Sequence, residues 1–230
     1  MGGPRKLTDE YQVSEILGRG GFSIVKKGIN NKKKKVVAIK TLRRVQVNPS
    51  STKGISLQTW TNQVSISEAL VTNEMLVMRK IVEEVSPHPN VIELYDVCQD
   101  EHGVHLVMEL CTGGELFDRI VKEKRYSEAG AAAVVRQIAA GLEALHRVNI
   151  VHRDLKPENC LFLNEEEESP LKIMDFGLSS VEEFTDPVVG LFGSIDYVSP
   201  EALSRGRITV KSDMWSLGVI LYILLSGYVS

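Results

Sequence analysis

Residues 152–159 read HRDLKPEN, and this octapeptide is the most informative stretch of the chain. It places Asp154, Lys156 and Asn159 in a loop behind a helix that is predicted to end near Val148. A carboxylate can orient a hydroxyl group, a lysine can neutralise a phosphoryl group, and an amide oxygen can bind Mg²⁺. The stretch therefore predicts a loop that handles phosphoryl groups.

Two polar residues outside this loop extend the pattern. Asp175 opens the tripeptide DFG behind a short predicted strand and offers a second oxygen ligand for a hard cation. Far upstream, Lys40 ends the apolar strand predicted at 36–40. Its ammonium must face an anion or reach solvent, because burying it alone would be costly. For that strand taken alone, both interpretations stay open.

A glycine cluster lies between the first two predicted strands. It comprises Gly18, Gly20 and Gly21, followed by Ser23 and Val25. Glycines let backbone N–H groups approach a phosphate closely, but they also suit any tight hairpin. The cluster is therefore a weak signal by itself. Ser23 stands where the third glycine of the usual pattern would be, and its small side chain should preserve a phosphate cover.

The chain changes character near the glycine pair at 113–114. Before it, strands alternate with one helix predicted at 64–85, and the polar segment 43–63 is predicted to be a flexible insertion. After it, helices dominate. One is predicted to be capped by Ser127 alone, and the last, at 211–227, is largely apolar. This distribution predicts an α+β fold.

Composition excludes several classes of protein. The chain has 230 residues, 43% of them apolar, and its formal net charge of -3 disfavours a dedicated nucleic-acid binder. The longest apolar run, 217–225, is too short to span a membrane. Three cysteines and no apolar leader predict a reducing intracellular location. The lysine run at 32–35 is either a solvated hairpin tip or a nuclear localisation signal.

In their order along the chain, these motifs resemble the signature set of eukaryotic-type protein kinases, from about Tyr11 to Gly227. The resemblance implies a bilobal α+β fold. An antiparallel-sheet N-lobe with the hinge would occupy 1–111, and a helical C-lobe would occupy 112–230. ATP and Mg²⁺ would bind in the cleft between the lobes. The family continues past helix F, so the C-lobe is expected to be truncated here.

The resemblance also implies roles for individual residues. Lys40, held by Glu74 (with Glu68 as the alternative), would position the phosphates. Asp154 would orient the substrate hydroxyl, and Lys156 would stabilise the transferring phosphoryl group. The implied metal ligands are Asn159 and Asp175. The implied nucleotide-binding residues are Gly18, Gly20, Gly21, Ser23, Val25, Ala38, Lys40, Met108, Glu109, Cys111, Glu115 and Leu161. Asp213 would hold the backbone of the catalytic loop.

The same resemblance narrows the substrate. Lys156 two residues after Asp154 is typical of serine/threonine kinases. Glu115, Asp118 and Glu158 form an acidic set that would bind an arginine before the target hydroxyl. The alternative is that they are only a ribose contact and surface charge.

Longer stretches, such as KSDMWSLGVILYILLSGY, are most similar to the plant calcium- and calmodulin-dependent protein kinases. That family carries a calmodulin-binding segment and EF-hands, but these 230 residues contain no D-x-D-x-D-G loop. Calmodulin and Ca²⁺ are therefore expected as partners of the full-length family form only, and the location as nucleus or cytoplasm. Two functions compete: an ATP- and Mg²⁺-dependent serine/threonine kinase, or a truncated nucleotide- or partner-binding fragment with little turnover.

Overall fold

The computed structural model describes four stretches of the chain, which are 6–20, 23–43, 57–181 and 195–228. Within them, only the backbone is described at 43 and 57–68. The chain forms two compact units. The first comprises 1–72 and 94–110, and the second comprises 73–93 and 111–230. The division into lobes between 111 and 112 stays a prediction. The two compact units divide the chain differently, because residues 73–93 belong to the second unit.

The first unit is built on a five-stranded antiparallel sheet in the order β1-β2-β3-β5-β4. Its elements are α1 (Leu7–Glu10), β1 (Tyr11–Arg19), β2 (Ser23–Asn30), β3 (Val36–Arg43), β4 (Leu94–Asp100) and β5 (Gly103–Met108). The predicted prevalence of strands before the glycine pair is confirmed. Val91 lies outside β4 and forms an isolated bridge with Ile173 instead. The short helix α1 was not predicted.

Strand β3 is buried on both faces, which explains its unbroken apolar sequence. Val37 and Ile39 pack in a cluster with Leu7, Tyr11 and other residues on one face. Ala38 and Lys40 alternate with them and are also buried. The strand thus fixes Lys40 on the face opposite this cluster.

Helix α2 spans Leu57–Glu84 and is longer than predicted. Residues 57–63, predicted as the end of the flexible insertion, are helical; 44–56 lie outside the described residues. Extending a formed helix costs far less than nucleating one, so a polar stretch without apolar periodicity can still continue it. Its described apolar face buries Val77, Met78 and Ile81.

The second unit holds most of the remaining helices and two short strand pairings. Its elements after α2 are α3 (Leu116–Glu123), α4 (Glu128–Arg147), β6 (Ile150–Val151), β7 (Cys160–Phe162), β8 (Leu171–Ile173), β9 (Ser180–Val181), α5 (Pro200–Arg205) and α6 (Val210–Ser226). Short 3₁₀ turns occupy Pro157–Asn159 and Ile195–Tyr197. Strands β6 and β9 pair, as do β7 and β8.

Helices α4 and α6 form the core of the second unit. Ser127 Oγ accepts a hydrogen bond from Gly130 N at 3.1 Å, which confirms the single-residue cap of α4. Helix α6 was predicted to be apolar nearly all round. It buries Leu217, Ile220 and Leu224, whereas Trp215 is 47% exposed. Among the described helices, none is long and apolar enough to cross a bilayer.

Candidate active site

The predicted nucleotide-binding residues of the first unit lie on one face of its sheet. Val25 is the cross-strand partner of both Gly18 and Lys40, and Ala38 is the partner of Met108. Directly opposed residues share a face, and every second residue of a strand returns to it. These five residues therefore form one surface, separate from the Ile39 face.

The turn between β1 and β2 is closed by Gly20, whose N–H donates to the Ser23 carbonyl at 2.9 Å. A Cβ on Gly20 would lie 3.0 Å from Ser23 Oγ, so the position favours glycine. Gly21 lies outside the described residues. On the neighbouring strand, Lys40 is only 6% exposed, and Glu109 beyond β5 is also buried. The surface thus carries a largely desolvated ammonium, where an anionic ligand interacts strongly.

The second unit brings the catalytic-loop residues together. Asn159 Nδ2 donates to the Asp154 carbonyl at 2.7 Å and to Asp154 Oδ2 at 3.0 Å. Lys156 Nζ lies 3.2 Å from the same carboxylate oxygen. With its amide N–H groups turned toward Asp154, Asn159 has its oxygen as the atom suited to a hard cation. The loop therefore combines a proton acceptor, a cation and a metal-ligand oxygen.

Asp213 holds the backbone of this loop, as predicted. Its carboxylate is 1% exposed and accepts hydrogen bonds from the N–H groups of His152 and Arg153, both at 2.9 Å. A third group, His146 Nε2, lies 2.8 Å from Asp213 Oδ2. Arg153 has a φ of 71°, in the left-handed region that costs a non-glycine residue free energy. Asp213 stabilises that conformation by accepting hydrogen bonds from the N–H groups of two consecutive residues at the start of the loop.

Asp175 is tied to the same loop through its neighbours. Met174 N donates to the Asn159 carbonyl at 3.0 Å, and His152 Nε2 lies 3.0 Å from the Met174 carbonyl. The rings of His152 and Phe176 meet edge to face at 5.3 Å. Asp175 itself has a φ of 64°. The strained aspartate is thus fixed on both sides by buried groups of the catalytic loop.

Glu74 lies beside the segment that follows Asp175. A Cβ on Gly177 would lie 3.4 Å from both Glu74 Oε2 and Asp175 Oδ1, so the two carboxylates flank this glycine. Asn73 Nδ2, from the same turn of α2, donates to the Ser179 carbonyl at 2.6 Å. The side chain of the alternative, Glu68, is outside the part of the chain whose side chains are described.

The three predicted acidic residues influence one another. Burial, followed by the charges of Asp118 and Glu158, raises the pKa of Glu115. Glu158 Oε2 is buried and has no hydrogen-bond partner among the described residues. This acidic region of the second unit favours a cationic group.

Two further predicted nucleotide contacts lie in the second unit. Leu161 in β7 forms a backbone bridge with Glu115, and Cys111 is partly exposed.

Sequence reasoning missed three supporting residues. His146 contacts Asp213, Asn73 bonds the Ser179 carbonyl, and Ser179 Oγ donates to the His152 carbonyl at 3.0 Å. A histidine in the last turn of a helix is usually read as a contact with the helix carbonyls. Nothing in the local sequence around these residues indicates partners so distant along the chain.

Comparison with known proteins identifies the family to which this chain belongs. Residues 11–230 match the family described as "Protein kinase domain". The chain is 72% identical over 233 residues to a calcium and calcium/calmodulin-dependent serine/threonine-protein kinase of Lotus japonicus, covering 97% of this chain and 45% of that protein. It is 71% identical to a calcium/calmodulin-dependent serine/threonine-protein kinase of Malus domestica, covering 97% of this chain and 58% of that protein. Calcium-dependent protein kinase 32 of Arabidopsis thaliana is 40% identical, with 97% and 38% covered. The chain spans about half the length of the curated relatives it matches most strongly.

Proposed function

Because the chain belongs to the protein kinase family, we propose that it transfers the terminal phosphoryl group of ATP to serine or threonine hydroxyls of proteins, as a kinase of the calcium/calmodulin-dependent type. The observation that carries the proposal is the cluster in which Asn159 Nδ2 and Lys156 Nζ lie 3.0 Å and 3.2 Å from the same Asp154 carboxylate oxygen.

Asp154 orients the attacking hydroxyl and accepts its proton as the new phosphorus–oxygen bond forms. Its carboxylate is suited to this role because the Asn159 amide fixes one oxygen through a 3.0 Å hydrogen bond. Lys156, at 3.2 Å from that oxygen, places a positive charge where the transferring phosphoryl group carries negative charge.

Asn159 and Asp175 would hold the cation. An amide oxygen and a carboxylate are both hard ligands of the kind that Mg²⁺ prefers, and neither site offers the thiolates or imidazoles that softer metals favour. When bound, Mg²⁺ neutralises phosphate charge. The orientation of the Asn159 amide toward Asp154 supports this assignment because it commits the nitrogen and presents the oxygen.

Lys40 would position the phosphates of ATP, with Glu74 as its partner. The remaining nucleotide contacts proposed are those of Gly18, Gly20, Gly21, Ser23, Val25, Ala38, Met108, Glu109, Cys111, Glu115 and Leu161. The shared face of Val25, Ala38, Lys40 and Met108 supports this set, because an apolar surface with one buried ammonium suits a purine that carries phosphates.

Basic residues before the target hydroxyl would be recognised by Glu115, Asp118 and Glu158. The buried Glu158 oxygen without a described partner supports this preference, since an arginine of the substrate would satisfy it. The names of the relatives support regulation by Ca²⁺ and calmodulin in the full-length protein. A nuclear or cytoplasmic location is proposed from the resemblance to this kinase family alone.

The test is phosphoryl transfer from radiolabelled ATP by the purified 230-residue chain. Two peptides are compared, one with arginine three residues before serine and one with alanine there. Asp154→Ala should lower transfer by at least about 100-fold, because general-base and positioning effects are typically of that size. Glu167→Gln, a carboxylate change in the exposed loop 165–168, is the matched control and should leave transfer unchanged.

ATP binding is measured beside transfer with a fluorescent ATP analogue. Binding without transfer by the unmodified chain would favour the alternative of a nucleotide-binding fragment. Transfer that survives Asp154→Ala would overturn the assignment of the catalytic residue. Equal rates on the two peptides would remove the proposed basic preference and leave the kinase activity standing.

A further inference from the structure

A cavity of about 580 Å³ lies on the sheet face opposite Lys40, and we call it the outer-face cavity. Ile39 and Thr41 of β3 line it, and these residues alternate with Lys40 along the strand. Their cross-strand partners Lys26 and Ile24 line it as well. Because opposed residues share a face and neighbours along a strand do not, this cavity is separate from the surface that carries the proposed nucleotide contacts. Its volume lies within the range of small-molecule sites.

One end of this outer-face cavity is apolar. Leu7, Val13, Ile24 and Ile39 line it, and all but Val13 are buried to more than nine-tenths. Helix α1 supplies Leu7, and strands β1 to β3 supply the other three. Such a lining favours a ligand that brings hydrocarbon, because apolar groups of the ligand leave water when they contact it.

The other end is polar, and most of its charge is already paired. His105 Nδ1 lies 2.9 Å from Thr41 Oγ1, and His105 Nε2 lies 2.9 Å from Asp100 Oδ1. The second contact is bent, so it is an electrostatic contact rather than an aligned hydrogen bond. Burial raises the pKa of Asp100, but the contacts with His105 and the His102 N–H outweigh it and lower that pKa overall. The carboxylate therefore stays ionised and engaged by His105.

Lys26 is the cation that this arrangement leaves available. Among the described residues, no carboxylate forms an ion pair with it; the adjacent Lys27 pairs with Glu15 instead. The Thr41 hydroxyl is already engaged by His105, so Lys26 is the group to which an anionic headgroup would bind. The polar end thus presents an ammonium next to an apolar floor.

We propose that the outer-face cavity binds a free aliphatic carboxylate of medium chain length. Its carboxylate pairs with Lys26, and its chain lies against Ile24, Ile39 and Leu7. A cationic amphiphile would meet the Lys26 charge, and a neutral one would leave that charge uncompensated by the ligand. The proposal is independent of phosphoryl transfer.

The probe is decanoate, used below the concentration at which it forms micelles. Isothermal titration and backbone amide NMR shifts are recorded on the 230-residue chain. We expect saturable binding to one site, with the largest shifts at 24–26, 39–41 and 105. Lys26→Met keeps the alkyl stem and removes the charge, so it should weaken binding at least tenfold. Lys33→Met, at the hairpin tip outside this cavity, should stay within twofold.

Decyltrimethylammonium, with a chain of the same length and the opposite charge, tests the unmodified chain and needs no variant. It should bind at least tenfold more weakly than decanoate. Circular dichroism checks that Lys26→Met folds, and the ammonium comparison decides the question if it does not. No decanoate binding, equal binding by Lys26→Met, equal binding of the two amphiphiles, or shifts centred elsewhere would each overturn the proposal.

Discussion

At the scale of single residues, Asp213 shows how one buried carboxylate determines the shape of a loop. It accepts two backbone N–H groups at 2.9 Å and faces His146 at 2.8 Å. A buried carboxylate needs several donors to offset the loss of hydration. His146 supplies the donor that the loop backbone does not, and it therefore acts as a positioning residue for Asp154 through Asp213.

His146→Ala should lower kcat for phosphoryl transfer about three- to tenfold, because losing a hydrogen bond to a charged group costs about 1.5–3 kcal/mol, spread over loop order and stability. The KM for ATP should change less than twofold. His146→Gln keeps an N–H donor and should recover most of kcat. Steady-state kinetics checks all three values. A change in KM alone, or no recovery with glutamine, would contradict the positioning role.

Lys40 carries a separate prediction. Lys40→Met keeps the buried alkyl stem and removes the ammonium, so transfer should fall at least about 100-fold while the melting temperature stays similar. Lys33→Met, on the exposed hairpin, is the matched lysine control. Retention of activity within about tenfold, roughly 1.4 kcal/mol of barrier, would show that Lys40 does not position the phosphates.

At the scale of elements, the turn between β4 and β5 is tied to β3 by side chains. Asp100 contacts His105, and His105 contacts Thr41. Asp100→Asn should lower the free energy of unfolding by about 0.5–1 kcal/mol at neutral pH, because the negative charge of the carboxylate is lost while the amide keeps its shape.

The pH dependence of this contact has a definite sign. The pKa of Asp100 is lower in the folded chain than its ordinary value of 3.8. Its stabilisation is therefore full above that ordinary value and is lost as the pH falls through the folded-state pKa. The difference between Asp100→Asn and the unmodified chain should shrink as the pH falls below 4, and urea unfolding at several pH values measures it. A constant difference down to pH 3 would rule out the charge of the Asp100 carboxylate as its cause.

At the scale of the whole molecule, the second compact unit leaves part of its apolar surface exposed on one helix. Helix α6 leaves Met214, Trp215, Tyr222 and Leu225 between 41% and 63% exposed. Trp215, Tyr222 and Leu225 recur at helical spacing, so they form one apolar stripe on the second unit. Apolar surface of this kind binds hydrophobic dyes and promotes association.

Trp215→Arg should therefore reduce the fluorescence of a bound hydrophobic dye by at least half and leave the circular dichroism spectrum unchanged. Ile220→Arg, on the buried face of the same helix, should instead unfold the chain, because an unpaired buried charge costs several kcal/mol. Dye titration and circular dichroism on both variants check this. Unchanged dye binding in Trp215→Arg would mean that the stripe is covered in solution.

Much of the candidate site could be predicted because its residues are close along the chain. Asp154, Lys156 and Asn159 lie within six positions, so a single loop brings them together, and the short-range motif holds the necessary information. The strands of the first sheet were predictable for a similar reason, since alternation and β-branched runs are local patterns. The start of α2 was missed because helix extension into a polar stretch leaves no local apolar period.

Long-range partners required the tertiary structure. His146 meets Asp213 across 67 positions, and Asn73 meets the Ser179 carbonyl across 106. The outer-face cavity depends on the register that opposes Lys26 to Ile39 and Thr41 to His105. A shift of one residue would turn each of these side chains to the other face, and no short segment contains that register. The local motifs thus specify the chemistry of the chain, whereas the packing of distant elements determines which buried groups support it.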